Sequence, residues 1–187
     1  MRKHFFEQTN FYIVTGGPGV GKTTLLTYLK SHFLIVPEVA RKIIKQQIKI
    51  NGEALPWRNK ENYSKIMLDQ SIDSYMKTAK QAPQKNCLFD RGILDTHCYA
   101  KMNNIAIDTE MEETAKTYLY NKKVFILPPW QKIYQTDEER KQTWEEAVCT
   151  FHKMKDTYEL YGYQLIEVPK ASIMERAKFI ITEIKKH

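Results

Sequence analysis

The chain has 187 residues, 42% of them hydrophobic and including 8 Phe, 11 Tyr and 3 Trp, which is the size of one globular domain with enough apolar surface to pack a core, so disorder is excluded. Lys and Arg number 29 against 22 Asp and Glu, a net charge of +7 that favours an anionic partner. No run approaches the ~20 apolar residues that cross a bilayer, and the start from Met1 to Gln8 turns polar before a signal-peptide region develops, so a single cytoplasmic domain spanning residues 1–187 is expected.

The first predicted strand is Phe11-Tyr12-Ile13-Val14, and the most informative part of the chain lies directly after it. Only seven glycines occur, yet four of them, Gly16, Gly17, Gly19 and Gly21, fall between positions 16 and 21. The segment Gly16-Gly17-Pro18-Gly19-Val20-Gly21-Lys22-Thr23-Thr24 matches G-x-x-x-x-G-K-[ST] and leads into apolar positions Leu25, Leu26 and Leu29 at helical spacing. Wrapping phosphate oxygens with successive backbone N–H groups demands conformations that a Cβ forbids, which glycine permits. The helix opening at Lys22 adds unpaired N–H groups and the positive end of its dipole. Lys22 is expected to reach the β- and γ-phosphates and Thr23 to ligate Mg²⁺, so residues 16–24 are assigned to nucleoside triphosphate, ATP by expectation with GTP an open alternative.

Further short apolar runs at 33–36, 87–89, 124–127 and 165–168 read as strands. Helical patterns lie between them, at roughly 39–50, 61–81, 92–102, 110–120, 138–161 and 173–185, with capping boxes at Thr136–Glu139 and Ser172–Glu175. Strands alternating with helices predict an α/β fold, a doubly wound five-stranded parallel sheet of P-loop type, with ligands beyond the C-terminal strand ends.

The strand ends therefore hold the candidate chemistry. Pro37 stops the second strand before Glu38 and Arg41, which stand one helical turn apart. The third strand ends in Asp90-Arg91-Gly92, where an acid is the expected second anchor for Mg²⁺ or a base for a nucleophile. Glu38 and Asp90 are expected to follow two strands flanking the phosphate-loop strand. After the fourth strand, Pro128-Pro129-Trp130 leads into a segment at about 131–142 that reads as a lid, where Lys132, Arg140 and Lys141 would stabilise a transferring phosphoryl group. Pro169 and Lys170, after the fifth strand, are placed near the nucleobase. The cysteines, Cys87, Cys98 and Cys149, fit neither a disulfide framework nor a paired metal motif and read as reduced core or near-core thiols.

Together the GGPGVGKTT loop, the P-E-V-A-R and D-R-G strand ends, the PPW, the T-D-E-E-R segment and the closing V-P-K-x-S resemble AAA domain family twenty-eight, over about Phe11 to Ile184. That family is similar to P-loop kinases such as ribosylnicotinamide, deoxynucleoside and thymidylate kinases. The resemblance implies that Glu38 or Asp90 acts on an acceptor hydroxyl, that Arg91 holds substrate or phosphate, and that Arg140 is the lid arginine. A length of 187 residues leaves no room for the C-terminal helical domain of true AAA machines, so a ring-forming motor is not expected.

An L-S-G-G-Q signature is absent and neither Asn59-Lys60-Glu61-Asn62 nor Asn121-Lys122-Lys123-Val124 supplies the N-K-x-D acid, which removes the ABC ATPase and conventional GTPase readings. Phosphoryl transfer from Mg²⁺–triphosphate to a small nucleoside-like acceptor is the expected function. The alternative is a regulatory ATPase or GTPase acting with a protein, lipid or nucleic-acid partner.

Overall fold

The computed structural model describes residues 6–134 and 143–186. Strand β1 (Phe6–Glu7) precedes β2 (Phe11–Gly16), and helix α1 (Lys22–Leu29) leads to β3 (Leu34–Val36). Helices α2 (Val39–Lys49) and α3 (Lys60–Gln81) come before β4 (Cys87–Asp90), after which the chain forms α4 (Ile93–Met102), α5 (Thr109–Thr117) and β5 (Tyr118–Leu119). Strand β6 (Lys123–Leu127), a 3₁₀ turn (Gln131–Ile133), α6 (Trp144–Leu160), β7 (Gln164–Glu167) and α7 (Ile173–Lys185) complete the order.

Five of the strands form one sheet in the order β3-β4-β2-β6-β7, all parallel. The phosphate-loop strand β2 is central, and all six of its residues are buried. Side-chain alternation divides the core between the faces. Tyr12, Val14, Leu88 and Phe125 pack with Leu25 and Leu29 of α1 and Ile180 of α7. Phe11, Ile13, Phe89 and Val124 pack on the opposite side with Leu68 and Tyr75 of α3 and Tyr158 of α6. Helices on both faces make the sheet doubly wound, as the alternating pattern predicts.

Three expectations change. Strand β3 does not flank β2, because β4 lies between them, so of the strands that carry Glu38 and Asp90 only that of Asp90 is adjacent to the phosphate-loop strand. The α6 helix opens at Trp144 under a capping box in which Thr143 and Glu146 exchange hydrogen bonds, whereas the box expected at Thr136–Glu139 lies outside the described residues. Cys87 and Cys98 are buried, but Cys149 is exposed. The two-residue strands β1 and β5 pair in a separate parallel ribbon. It is anchored by the buried Tyr75, whose hydroxyl lies 2.7 Å from the carbonyl of Phe6 and 2.8 Å from that of Leu119.

Candidate active site

The phosphate loop lies between the C-terminal end of β2 and the start of α1. Gly16 sits opposite Leu127 of β6, and a Cβ there would come within 2.8 Å of the Leu127 carbonyl oxygen. Gly21 caps α1 in the left-handed region, at φ 81°, and offers no side chain to the helix. With no acid in the first turn either, the N–H groups at the head of α1 keep no side-chain partner among the described residues. The same terminus is capped by Asn59 in α3, Asp108 in α5, Thr143 in α6 and Ser172 in α7. A bare helix N-terminus behind a glycine loop is an anion site.

Lys22 is buried, and its Nζ donates to Asp90 Oδ1 at the end of β4. Burial is the main cause holding its pKa below the usual lysine value, the Arg91 charge adds to it, and Asp90 and Glu38 oppose it. Thr23 and Thr24 follow it in the first turn of α1, both exposed, so their hydroxyls are open to a ligand.

Opposite this loop, Arg91 holds a backbone φ of 76°, rare for a side chain with a Cβ. Its N–H bonds the Val14 carbonyl at 3.1 Å, and its guanidinium is held by two acids. Arg91 Nε donates to Glu38 Oε1 at 2.7 Å and Nη1 donates to Asp95 Oδ1 at 3.0 Å. Arg41 stands farther from Glu38, at 3.9 Å, and is half exposed. Burial would raise the Glu38 pKa, but Arg91, Lys22 and Arg41 outweigh it and hold the carboxyl below its ordinary value. Burial likewise opposes the Arg91 charge, yet Glu38, Asp95 and Asp90 more than offset it and keep the guanidinium firmly protonated.

Asp95 is a residue that sequence reasoning missed. Its buried carboxylate accepts from Thr15 Oγ1 at 2.6 Å, Tyr158 OH at 2.6 Å, the Gly92 N–H at 2.8 Å and Arg91. One acid thus fixes the phosphate-loop strand, the start of α4, a core tyrosine of α6 and the site guanidinium. The available signal was its spacing, four residues after Arg91 in a D-R-G-x-x-D run, but an acid in the first turn of a helix reads equally as a cap.

Arg176 of α7 is the second missed residue. It is 3% exposed, and its Nη2 donates to the Val20 carbonyl at 3.0 Å. Its guanidinium carbon stands 5.9 Å from the centre of the Trp130 ring. Nε has no partner, and among the described residues no carboxylate pairs with this arginine. Burial lowers its pKa. A guanidinium with no anion among the described residues therefore backs the phosphate loop.

Beside the ends of β3 and β4 lies a narrow cleft of about 30 Å³ lined by Glu38, Asp90, Arg91 and Asp95 together with uncharged residues of α2, α3 and α4. The structure thus brings Lys22, Glu38, Asp90 and Arg91 into one site. Pro169 and Lys170 stand exposed at the end of β7, two strands from β2. Lys132 is exposed in the 3₁₀ turn, and Tyr134 packs against Gly19, where a Cβ would meet its ring at 2.9 Å. Arg140, Lys141 and the rest of the expected lid from residue 135 to 142 lie outside the described residues.

Among solved structures the chain is similar to a NadR protein in complex with NR, at 19% identity and a TM-score of 0.72 over 98% of this chain and 52% of that one. It is also similar to thymidylate kinase from Ehrlichia chaffeensis (14% identity, TM-score 0.60, 95% of this chain and 98% of that one). Deoxyadenosine kinase from M. mycoides matches at 19% identity and a TM-score of 0.57, over 95% of this chain and 100% of that one. The chain spans about half the length of the NadR structures it matches. At these identities the likeness is one of fold, and the fold is that of the P-loop kinases. No curated protein matches the sequence significantly. A family profile described as an AAA domain matches residues 11–176, nearly the whole chain. With its phosphate loop on a kinase-like sheet, the chain belongs to this AAA domain family, number twenty-eight.

Proposed function

We propose that the protein binds Mg²⁺–nucleoside triphosphate, ATP in the first instance, and transfers its terminal phosphoryl group to a hydroxyl of a small nucleoside-like acceptor. The observation that carries this reading is the division of acids across one cleft. Asp90 is tied to the phosphate-loop lysine, while Glu38 is tied to Arg91 on the side facing α2 and α3. A plain hydrolase needs to place only a water beside the terminal phosphate; a second acid–guanidinium pair lining a separate cleft suits a larger acceptor.

The residues present fit magnesium. At phosphoryl-transfer sites this ion takes one or two protein oxygens and completes its shell with phosphates and water, and Thr23 and Asp90 are the donors that would hold it. When bound, it neutralises charge developing on the phosphoryl oxygens. Lys22 exchanges Asp90 for the phosphates as triphosphate enters, which frees the carboxylate. The bare head of α1 and the glycine loop hold the phosphate chain, and Pro169 and Lys170 stand toward the base. Glu38 orients the acceptor hydroxyl and accepts its proton at Oε2, while Arg91, locked between Glu38 and Asp95, keeps that carboxylate aimed. A carboxyl held below its ordinary pKa is a weak base, but in a loose phosphoryl-transfer transition state positioning matters more than basicity.

The test is incubation with γ-labelled triphosphate and a panel of nucleosides and related alcohols. Labelled small product is the expected outcome. Free labelled phosphate alone, accelerated by a macromolecular partner, would favour the regulatory NTPase instead.

A further inference from the structure

Helix α2 is cationic along its solvent side. Its inner stripe, Ile43 with Val39, Ala40 and Ile44, packs on Tyr63 and Met67 of α3. Away from that stripe lie Arg41, Lys42, Lys45 and Lys49, all exposed, which with Gln46 line an open groove that contains no acid. Positions three and four apart share a helix face, so the four cations form one stripe. Arg41 stands 3.9 Å from Glu38, which already answers Arg91, and among the described residues no carboxylate pairs with Lys42, Lys45 or Lys49.

The end of the same helix is apolar. Nine large hydrophobic side chains are exposed among the described residues, and three of them, Ile48 at 60%, Ile50 at 68% and Trp57 at 62%, fall within ten positions of the chain. Ile48 follows Lys45 by three residues and so borders the cationic stripe. The turn after α2 is pinned to the helix, because the Gly52 N–H donates to the Gln47 carbonyl at 2.8 Å and the Ala54 N–H to Gln47 Oε1 at 3.1 Å. Arg58 donates Nη1 to the Gly52 carbonyl at 3.4 Å, which ties the segment carrying Trp57 to the turn that Ile50 opens.

We propose that this face docks the protein on an anionic lipid surface, the stripe meeting the headgroups and Ile48, Ile50 and Trp57 entering the boundary beneath them. Four cations around a groove without an acid complement a negatively charged surface. The exposed apolar side chains decide which kind of surface that is. A nucleic-acid backbone would take the cations but leave the two isoleucines without a partner, whereas the edge of a bilayer takes aliphatic side chains and favours tryptophan. Docking is independent of the phosphoryl-transfer reading, because none of these side chains lines the candidate cleft.

The test is sedimentation of the whole protein with vesicles of phosphatidylcholine alone and with vesicles in which about a third of the lipid is phosphatidylglycerol. Binding to the second and not to the first is expected, weakening as salt rises. A basic residue near an anionic leaflet is worth about fivefold in affinity, so the Lys45→Gln/Lys49→Gln double variant should bind at least tenfold more weakly. Both lysines are exposed, and an unchanged melting temperature checks that the variant is folded. Tryptophan emission of the unaltered protein should move to shorter wavelength on adding the anionic vesicles, and Trp57→Phe should lose that shift while still sedimenting. Equal binding to both vesicle types, binding to neither, undiminished affinity in the folded double variant, or emission that the vesicles leave unchanged overturns the proposal. An oligonucleotide that binds more tightly than the anionic vesicles and weakens in the same double variant also overturns it, by making the stripe a nucleic-acid surface.

Discussion

The phosphate loop is one unbroken run, Gly16 to Thr24, whereas the cluster facing it draws Thr15, Glu38, Arg91, Asp95 and Tyr158 from separate parts of the chain. The two regions also differ in how far their polar groups are satisfied. At the loop, the head of α1 has no cap and the Arg176 guanidinium backing it has no carboxylate among the described residues. In the cluster, Asp95 accepts four donors and Arg91 is shared between two acids. Unanswered N–H groups and charge mark the place where a ligand completes the structure. Answered charges mark a scaffold that must already be rigid before the ligand arrives.

The largest effect that would break this contrast is predicted at Asp95. Removing one member of a buried charge pair commonly costs ~3–5 kcal/mol because its partner is left uncompensated. Asp95→Ala should therefore lower the unfolding free energy in urea by that order, and Asp95→Asn by less, since the amide oxygen can still accept. A loss under ~1 kcal/mol for Asp95→Ala would show that the cluster is not a scaffold.

Gly92→Ala comes next. An added Cβ overlaps the Cδ1 of the fully buried Ile13, and overpacking of this kind costs ~1–3 kcal/mol. The same denaturation measurement checks it, and full stability would mean that α4 can shift away from β2.

Arg176→Met sharpens the comparison from the other side, because it removes a buried charge that has no acid partner. The melting temperature without nucleotide should stay level or rise, while affinity for triphosphate falls by about tenfold, the worth of one hydrogen bond to a charged group. A lowered melting temperature with unchanged affinity would make Arg176 a packing residue only.

The smallest effect concerns pH. The folded pKa of Glu38 is held below the ordinary carboxyl value of 4.5, so its stabilising contribution is fully present above that value and is lost as pH falls through the lowered one. Glu38→Gln should remove that part of the acid dependence of unfolding, on the order of 1 kcal/mol or less for a partly exposed pair. Superimposable pH profiles for the two proteins would contradict the assignment.

The same contrast decides how much was legible in the sequence. The loop was legible because its chemistry is local: glycine spacing, a lysine and a hydroxyl suffice. Glu38, Asp90 and Arg91 were legible as strand-end residues, since parallel strands carry ligand groups at their C-terminal ends. Their pairing was not, because nothing in the strand signals says that β4 inserts between β2 and β3. Asp95 and Arg176 were hidden for a different reason. Each sits in the first turns of a helix, where an acid or a base has an ordinary surface explanation, and only the packing of α4 and α7 against the loop strand and the loop gives them their roles. The strands β1 and β5, two residues each, are too short to carry an alternation signal.

The claim at the centre of this account is that one cleft has two separable halves, and a crossed binding measurement tests it most directly. Triphosphate affinity and the affinity of the tightest-binding nucleoside are determined by calorimetry in Lys22→Ala and in Glu38→Ala. Loss of a buried charge partner commonly costs ~2–5 kcal/mol. Lys22→Ala should weaken triphosphate at least tenfold and leave the nucleoside within about threefold, and Glu38→Ala should do the reverse. Equal losses of both ligands in both variants, or no loss of triphosphate in Lys22→Ala, would contradict it.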